Sequence, residues 1–297
     1  MVIKTIFLGT AGSAPTKTRR MPSMAVIYEG DILIFDCGEG TQFQMLEHGI
    51  SPLKVKAIFL SHAHGDHSIG IAGLVRTMAL NSRKSPLLIF VPRGYEKAIR
   101  SLIVFDNVII NYPIVIKGIR SGVVYKGKGY EVSAFKVKHT APTYGYVFKE
   151  NDTVRFKEEL AHRLGIRGVM FSEIKKKGYV KIRNKKIALS QVTWKQEGKK
   201  IVYATDTRPT GTTLSAARNA DLLVHEASYK DAERSMAVER KHSASGEAAL
   251  LAKKAHVKRL VLTHISARHK TDTELLRDAR RVFKNSVVAK DGYTLFI

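Results

Sequence analysis

Seven consecutive residues, Ser61-His62-Ala63-His64-Gly65-Asp66-His67, constrain the fold of this chain more than any other stretch. Three imidazoles and a carboxylate fall within six positions. An apolar, strand-like run at 55–60 leads in, and a helix-like run at 68–80 leads out. A turn between them lets all four side chains converge. Imidazole nitrogen and carboxylate oxygen are donors that suit Zn²⁺. His62 and His64 alternate as on a strand end and can point one way. Asp66 and His67 reach the same region from the turn, an arrangement that suits two adjacent metals better than one. A lone His-x-His is more often surface than site; the full pattern, placed between strand and helix, is not a polar loop.

The rest of the chain repeats this placement. Strand-like stretches occur at 2–8, 24–28, 32–35, 57–60 and 87–91, and several more between 108 and 137 around a Gly-rich hairpin at 126–129. Helix-like stretches occupy 41–48, 68–80 and 94–105. A second series follows: strand 200–204, helix 212–219, strand 222–225, helix 245–255, strand 259–262, helix 272–283 and strand 293–297. Strands alternating with helices in both halves predict a layered α/β sandwich. His139, Asp206 and His264 each come just after an apolar strand, where such folds place their sites. With the first cluster they make seven potential ligands, enough for two metals ~3.5–4 Å apart sharing one carboxylate. Such a pair lowers the pKa of water and holds both oxygens of an in-line displacement at phosphorus. Two further segments carry polar chemistry, His225-Glu226 at a strand end and Lys241-His242-Ser243 before a helix. A carboxylate beside an imidazole orients it and raises its pKa. His242 is therefore a candidate general acid, with Glu226 as its orienter.

Charge points to a partner. The 297 residues carry 50 Lys+Arg against 26 Asp+Glu, a formal net charge of +24 and a pI near 10.1. That excess favours a polyanion, most simply nucleic acid. A thermophile-type charged surface would carry matching acids in networks, and the acids are missing. An anionic membrane is a weaker option, because no amphipathic anchor is evident. Between 151 and 197 twelve basic residues face five acidic ones, a net +7, with two helix-like pieces at 156–164 and 171–177. A hairpin follows at 179–182 and 185–188, turning at Arg183-Asn184. Few of its residues are apolar, so it reads as an excursion from the core rather than a separate domain. Cys37 is the only cysteine, which excludes an internal disulfide and fits a reducing cytosol. Neither a signal peptide nor a run of 18 apolar residues appears, so a soluble, cytoplasmic protein is expected.

These segments resemble one family over essentially the whole chain: the short form of tRNase Z (ribonuclease Z), the tRNA 3′-processing endonucleases of the metallo-β-lactamase superfamily. The resemblance is carried by Phe7-Leu8-Gly9-Thr10, Asp36-Cys37-Gly38-Glu39-Gly40-Thr41-Gln42, the His cluster, His139-Thr140, Asp206-Thr207-Arg208-Pro209, the stretch 220–227, His242-Ser243 and Thr263-His264. The His-x-His-x-Asp-His motif marks only the superfamily, whereas Asp-Cys-Gly-Glu-Gly-Thr-Gln and Asp-Thr-Arg-Pro are more specific. The resemblance implies an α/β fold, a four-layer αβ/βα metallo-β-lactamase sandwich with a protruding basic arm. One domain would span 1–297, with the tRNA-binding arm inserted at about 151–197. His62, His64 and His139 would hold one zinc, and Asp66, His67 and His264 the other, with Asp206 bridging. The same donors also accept Mn²⁺ or Fe. Asp66 would steer or deprotonate the attacking water, and His242 and Glu226 would assist departure of the 3′ oxygen. The substrate would be precursor tRNA, cut to leave a 3′-hydroxyl on the tRNA and a 5′-phosphate on the trailer. Lys17, Arg19 and Arg20 in the first loop, and Lys175, Lys176, Lys177, Lys181, Arg183, Lys185 and Lys186 in the arm, would bind RNA. The enzyme would be a homodimer, one subunit's arm presenting tRNA to the other's site.

Two positions depart from that pattern. The family's arm often carries Gly-Pro, and here Gly168 is followed by Val169. The first loop usually reads Pro-x-Lys-x-Arg-Asn, and here Arg20 replaces the asparagine, a change that bears on cleavage position and on rejection of a mature CCA end. Two other readings account for parts of the sequence. A hydrolase of a small phosphodiester, sulfate ester or thioester would need the same metals, but neither the charge nor the arm. A basic RNA-binding module with structural metals would be expected to use a closed, cysteine-rich site, and this ligand set has no cysteine.

Overall fold

The computed structural model describes residues 2–104, 109–183 and 185–297. The chain divides into two compact units, Met1–Phe148 with Lys200–Ile297, and Lys149–Lys199.

Two seven-stranded sheets organise the first unit. In spatial order one runs Thr294–Phe296, Lys4–Gly9, Ser23–Tyr28, Asp31–Phe35, Val55–Phe59, Leu87–Pro92 and Ile114–Ile119. The other runs Ser286–Val288, Leu260–Thr263, Leu222–Glu226, Lys200–Ala204, Tyr144–Glu150, Tyr130–Lys136 and Gly122–Gly127. Strands buried on both faces should read as nearly continuous apolar runs, and Asp31–Phe35 does. Its Leu33 and Phe35 enter a core shared with residues of the other sheet, among them Tyr146, Phe148, Tyr203 and Val224. Its Ile32 and Ile34 face the opposite way, towards helices Thr41–Glu47, Gly70–Leu80 and Glu96–Ile103. Helices Gly211–Ala217, Ser245–Lys254 and Thr273–Val282 cover the outer face of the second sheet. The result is helix, sheet, sheet, helix, the four-layer αβ/βα sandwich.

The helix Gly70–Leu80 shows why the outer layer holds. It buries Ile71, Leu74, Val75 and Met78, the i, i+3, i+4, i+7 stripe of an amphipathic helix. Each buried side chain contributes roughly 1.5–3 kcal/mol. Aromatic packing fixes the inner layer: Phe59 stacks between Phe35 and Phe90, at 5.2 and 4.9 Å, and meets Tyr146 of the other sheet edge-on at 5.5 Å.

Strands Asp31–Phe35, Val55–Phe59 and Leu87–Pro92 pair in parallel, as do Lys200–Ala204, Leu222–Glu226 and Leu260–Thr263. Asp36, Ser61-His62, Asp206, Glu226 and His264 all lie at or just past the carboxyl ends of these strands, where ligand sites form in parallel sheets.

The element boundaries differ from the sequence expectation mainly at ends. The helix expected to run to Phe105 ends at Ile103; Phe105 and Val108 lie outside the described residues. The strand Tyr144–Glu150, the helix Arg234–Glu239 and the strand Ser286–Val288 are additions to the elements expected from sequence. The first is interrupted by Gly145, and the last two are too short to show a period. No helix among the described residues is long and apolar enough to cross a membrane.

The second unit corrects one expectation. It is not an apolar-poor excursion: Ala161, Ile166, Ile174, Val180, Ile187 and Val192 form a hydrophobic core of its own. In the sequence these residues are scattered among charged residues and show no period. Helices Glu158–Arg163 and Met170–Lys177 and the hairpin Tyr179–Ile182 with Lys185–Ala188 lie where the sequence suggested. Asn184 of the expected turn is outside the described residues. A second pair, Thr153–Phe156 with Thr193–Gln196, closes the unit at its base. At the departure from the Gly-Pro pattern, Gly168 has φ +50° and Val169 is exposed.

Gly38 of the Asp-Cys-Gly-Glu-Gly stretch and Gly70 serve close backbone packing beside the His cluster. A Cβ on Gly70 would sit 2.0 Å from the Gly38 carbonyl oxygen, and one on Gly38 would sit 2.3 Å from that of Asp66. Neither neighbour is a flexible side chain that could move aside. Gly70→Ala should therefore cost about 1–3 kcal/mol or more, measured as a fall in the urea midpoint. An unchanged midpoint would mean that the backbones are not tightly packed there.

Candidate metal centre

The structure brings the seven sequence-derived ligands together in two groups that meet at Asp206. Donor atoms of His62, His64, His139 and Asp206 lie within 4.8 Å of one another, as do those of Asp66, His67 and His264. Asp206 Oδ2 is 3.6 Å from His62 Nε2 and 3.7 Å from His139 Nε2. Its Oδ1 is 3.0 Å from His264 Nε2 and 3.4 Å from His67 Nε2. Two ligands each ~2.1 Å from one tetrahedral zinc stand ~3.4 Å apart, so these spacings fit donors sharing a cation. Each oxygen of Asp206 serves a different imidazole set.

Partners on the far side of each ring orient the donors. His67 Nδ1 is 2.8 Å from Asp36 Oδ2, His62 Nδ1 2.9 Å from Ser61 Oγ, His264 Nδ1 2.8 Å from Ser228 Oγ, and His139 Nδ1 3.5 Å from the Lys241 carbonyl. Outer partners of this kind fix the tautomer and aim of a metal-binding histidine. Meanwhile Nε2 of His62, His67 and His264 is buried and, among the described residues, makes no hydrogen bond of acceptable geometry. A buried polar atom left so is costly, and one cation in each of the two sets would give all three a partner.

Charge balance makes the same demand. Burial alone would raise the carboxyl of Asp206, but His264 and His67 outweigh it and hold it well below the usual range. Asp66 is lowered in the same way, with burial opposed by His264 and His67. Burial presses His264 down, yet Asp206 and Asp66 lift it to about 10. His67 is likewise raised against its burial, by Asp206 and Asp36. Two ionised carboxylates thus call for positive charge between them. A divalent cation supplies it and displaces imidazole protons as it binds.

The backbone is bent to this purpose. Asp36, Asp206, Lys241 and His264 all hold left-handed φ, between +47° and +58°, a conformation costing roughly 1–2 kcal/mol at a non-glycine residue. Such strain gathers at functional sites, where the surrounding structure enforces it.

His242 and Glu226 form the pair expected of them. His242 Nδ1 is 2.9 Å from Glu226 Oε1, which leaves Nε2 as the ring's free nitrogen. Glu226 is fully buried and also accepts from Thr207 N, Ser228 Oγ and Ser243 N. Burial works against a charged His242, but Glu226 outweighs it and raises the imidazole pKa. Arg208, clamped on Glu247, donates to the His242 carbonyl at 2.5 Å. His242 also groups with Asp206 and His264 as a possible third ligand set. A cavity of about 270 Å³ opens over the cluster, lined by Asp66, His139, Asp206 and His242, with Arg240 among its walls.

One RNA-binding assignment is corrected. Arg19 is buried, paired with both oxygens of Asp272 at 2.8 Å and bonded to the Ala289 carbonyl at 2.6 Å. It ties the first loop to the far end of the chain and is not available to RNA. Lys17 and Arg20 are exposed, as are Lys175, Lys176, Lys177, Lys181, Arg183, Lys185 and Lys186. Among these, Lys177 pairs with Glu173 at 2.8 Å and Lys186 lies 4.1 Å over the Tyr179 ring. Lys17 also borders a groove of about 1080 Å³, with Lys270, Arg277, Arg280 and Lys290 along it. The groove holds no metal ligand, but Ser266 in its wall is two residues past His264.

Sequence reasoning missed Asp36, Ser228, Tyr203 and Arg240. Asp36 alone had a signal, as the first residue of the Asp-Cys-Gly-Glu-Gly stretch. Its carboxylate accepts from Ser61 N, Ser61 Oγ and Tyr203 OH besides facing His67.

Comparison with known proteins places this geometry in context. The family model described as anti-Pycsar protein Apyc1 matches residues 3–175, and a β-lactamase superfamily domain model matches 157–265. A protein of Methanosarcina acetivorans named ribonuclease Z is 40% identical over 98% of this chain and 96% of its own length. The crystal structure of human tRNase Z, short form, superposes with a TM-score of 0.73 at 24% identity, covering 98% of each chain. A metallo-β-lactamase fold protein from Bacillus subtilis also gives 0.73, at 18% identity, over the whole of both chains.

Asp36→Asn keeps the size of the side chain and removes its charge. It should weaken metal affinity about 10–100-fold, read by competition against a chromogenic chelator. Unchanged affinity in a folded variant would make Asp36 a purely structural residue.

Proposed function

The chain belongs to the ribonuclease Z family, and on that premise we propose that it is a metal-dependent endoribonuclease that removes the 3′ trailer of precursor tRNA. The observation that carries this reading is the placement of Asp206 between two imidazole sets, with the Glu226-anchored His242 beside them. His62, His64 and His139 would hold one divalent ion and Asp66, His67 and His264 a second, with Asp206 shared; zinc suits these donors best. Bound there, the two ions supply Lewis acidity for attack of water on phosphorus.

The chain's own residues do the rest. Asp66, the most open of the carboxylates, orients the water and takes its proton. Glu226 fixes the tautomer and direction of His242. The proton on His242 Nε2 passes to the departing 3′ oxygen as the phosphorus–oxygen bond breaks, leaving a 3′-hydroxyl on the tRNA and a 5′-phosphate on the trailer. Lys17 and Arg20, and the basic second unit, supply phosphate contacts. A homodimer is supported by Phe43 and Leu46, 65% and 62% exposed on one short helix, and by half-exposed Ile69 at the start of the helix that packs against it.

The reading is tested by offering the zinc-loaded protein a trailer-bearing precursor tRNA and a small chromogenic phosphodiester side by side. Cleavage of the precursor to a ligatable 3′-hydroxyl is expected. Turnover of the small diester with the precursor left intact would favour a small-phosphodiester hydrolase instead.

Two substitutions separate the assigned roles. Asp66→Ala should abolish cleavage while tRNA binding stays nearly intact. His242→Ala should lower kcat ~10²–10⁴-fold with metal content unchanged. Loss of one metal per chain in the latter would reassign His242 as a ligand of the third group.

Deleting 152–196 behind a short Gly/Ser linker should leave a folded protein that still turns over the small diester and still sediments as a dimer. Binding of tRNA should weaken strongly, and its salt dependence should flatten by ~0.7–0.9 for each phosphate the protein no longer neutralises. Full tRNA affinity in the truncated protein would reduce the second unit to a solvated surface. Sedimentation as a monomer would remove the apolar helix face as the dimer interface.

A further inference from the structure

The second unit carries the only tryptophan of the chain, Trp194, and leaves it 48% exposed. Tryptophan is highly buried on average, so an indole half in water on a charged surface needs a reason. Trp194 lies on the strand Thr193–Gln196, directly opposite Arg155 on Thr153–Phe156. Side chains alternate along each strand, so Thr153, Arg155, Trp194 and Gln196 share one face. Phe156 and Thr193 are on the other, and Phe156 packs on the core of this unit. The Trp194 face therefore points away from that core. Among the described residues Trp194 has no ring or cation partner. The guanidinium of the residue paired with it across the strands is held on the same face, Arg155 Nε donating to Gln196 Oε1 at 2.7 Å.

A flat aromatic surface next to a steadied guanidinium, within a segment of net charge +7, matches the chemistry of unpaired nucleotides. Indole and guanidinium planes stack on bases, and the cation also meets the phosphate. An apolar partner would not be favoured by a segment with twelve basic residues against five acidic ones, and a duplex backbone alone would not call for the indole. We propose that Trp194, with Arg155, is a stacking platform for an unpaired base of the RNA substrate, outside the proposed metal-ligand set. This rests on the reading of the protein as a tRNA-processing enzyme, and it adds that the second unit recognises a loop base as well as phosphates.

Because Trp194 is unique, its fluorescence reports on this face alone. The probe is a tRNA transcript without a trailer, titrated into the metal-loaded protein at about 0.1 M salt, where phosphate contacts are partly screened, with binding followed in parallel by gel shift. Quenching that saturates with the gel-shift affinity is expected. Trp194→Ala should weaken binding roughly 5- to 150-fold, Trp194→Phe should keep most of the affinity, and both should turn over the small phosphodiester normally. A fully paired RNA duplex of the same length should bind without the quench. Full-affinity binding of tRNA to Trp194→Ala, without quenching in the unaltered protein, overturns the platform and leaves the tRNA reading standing. No binding of tRNA by gel shift to the unaltered protein overturns both. A fluorescence change that follows protein concentration without RNA assigns the face to a second copy of the chain and also overturns the proposal.

Discussion

The carboxylate of Asp36 is the group on which the rest of the site hangs. It is fully buried at the carboxyl end of Asp31–Phe35 and accepts from the backbone and hydroxyl of Ser61 on the neighbouring strand end. It also accepts from Tyr203 of the opposite sheet and meets Nδ1 of His67. One buried charge therefore joins both sheets and a proposed ligand. A carboxylate in that position is tolerable because four polar groups meet it, one at Oδ1 and three at Oδ2. Removing the Asp36 carboxylate would take this acceptor from all of them at once, so the seam between the sheets and the aim of His67 stand or fall together.

From that seam the geometry of the cluster follows. Parallel strands end side by side, and their following residues converge on one edge of the sandwich. Left-handed turns at Asp36, Asp206 and His264 point these side chains back across the edge. The cost is recovered by the paired interior around them: stacked Phe35, Phe59 and Phe90, and Tyr146, whose hydroxyl donates to the Leu60 carbonyl beside the His cluster. The site is rigid because it is built on the core and not on a free loop. The second unit has the opposite character, a small hydrophobic centre in a segment rich in basic residues.

Legibility tracked distance along the chain. The His cluster was readable because strand, turn and ligands are contiguous. His242 and Glu226 were readable as a pair only 16 positions apart. Ser228, which holds His264, is 36 residues from it, and Tyr203 is 167 residues from Asp36; nothing local marks either. Arg19 looked like its neighbours Lys17 and Arg20, all three in one basic loop. Its partner Asp272 lies 253 residues away, so its burial was invisible. The core of the second unit was hidden for a related reason: its apolar residues are scattered in ones, twos and threes among charged residues, and only folding gathers them.

The sequence by itself determined the candidate ligand set, the strand-then-ligand pattern, the layered α/β class and the excess of positive charge. These depend on residue type, local period and summed charge, which are properties of neighbours or of totals. Only the tertiary structure decided which oxygen of Asp206 faces which imidazoles. It alone set Asp36 behind His67, committed Arg19 to an internal ion pair and left Trp194 in water beside Arg155. Those outcomes depend on burial and pairing between distant segments, and such pairings exist only once the two sheets have closed on each other and the second unit has formed its own core.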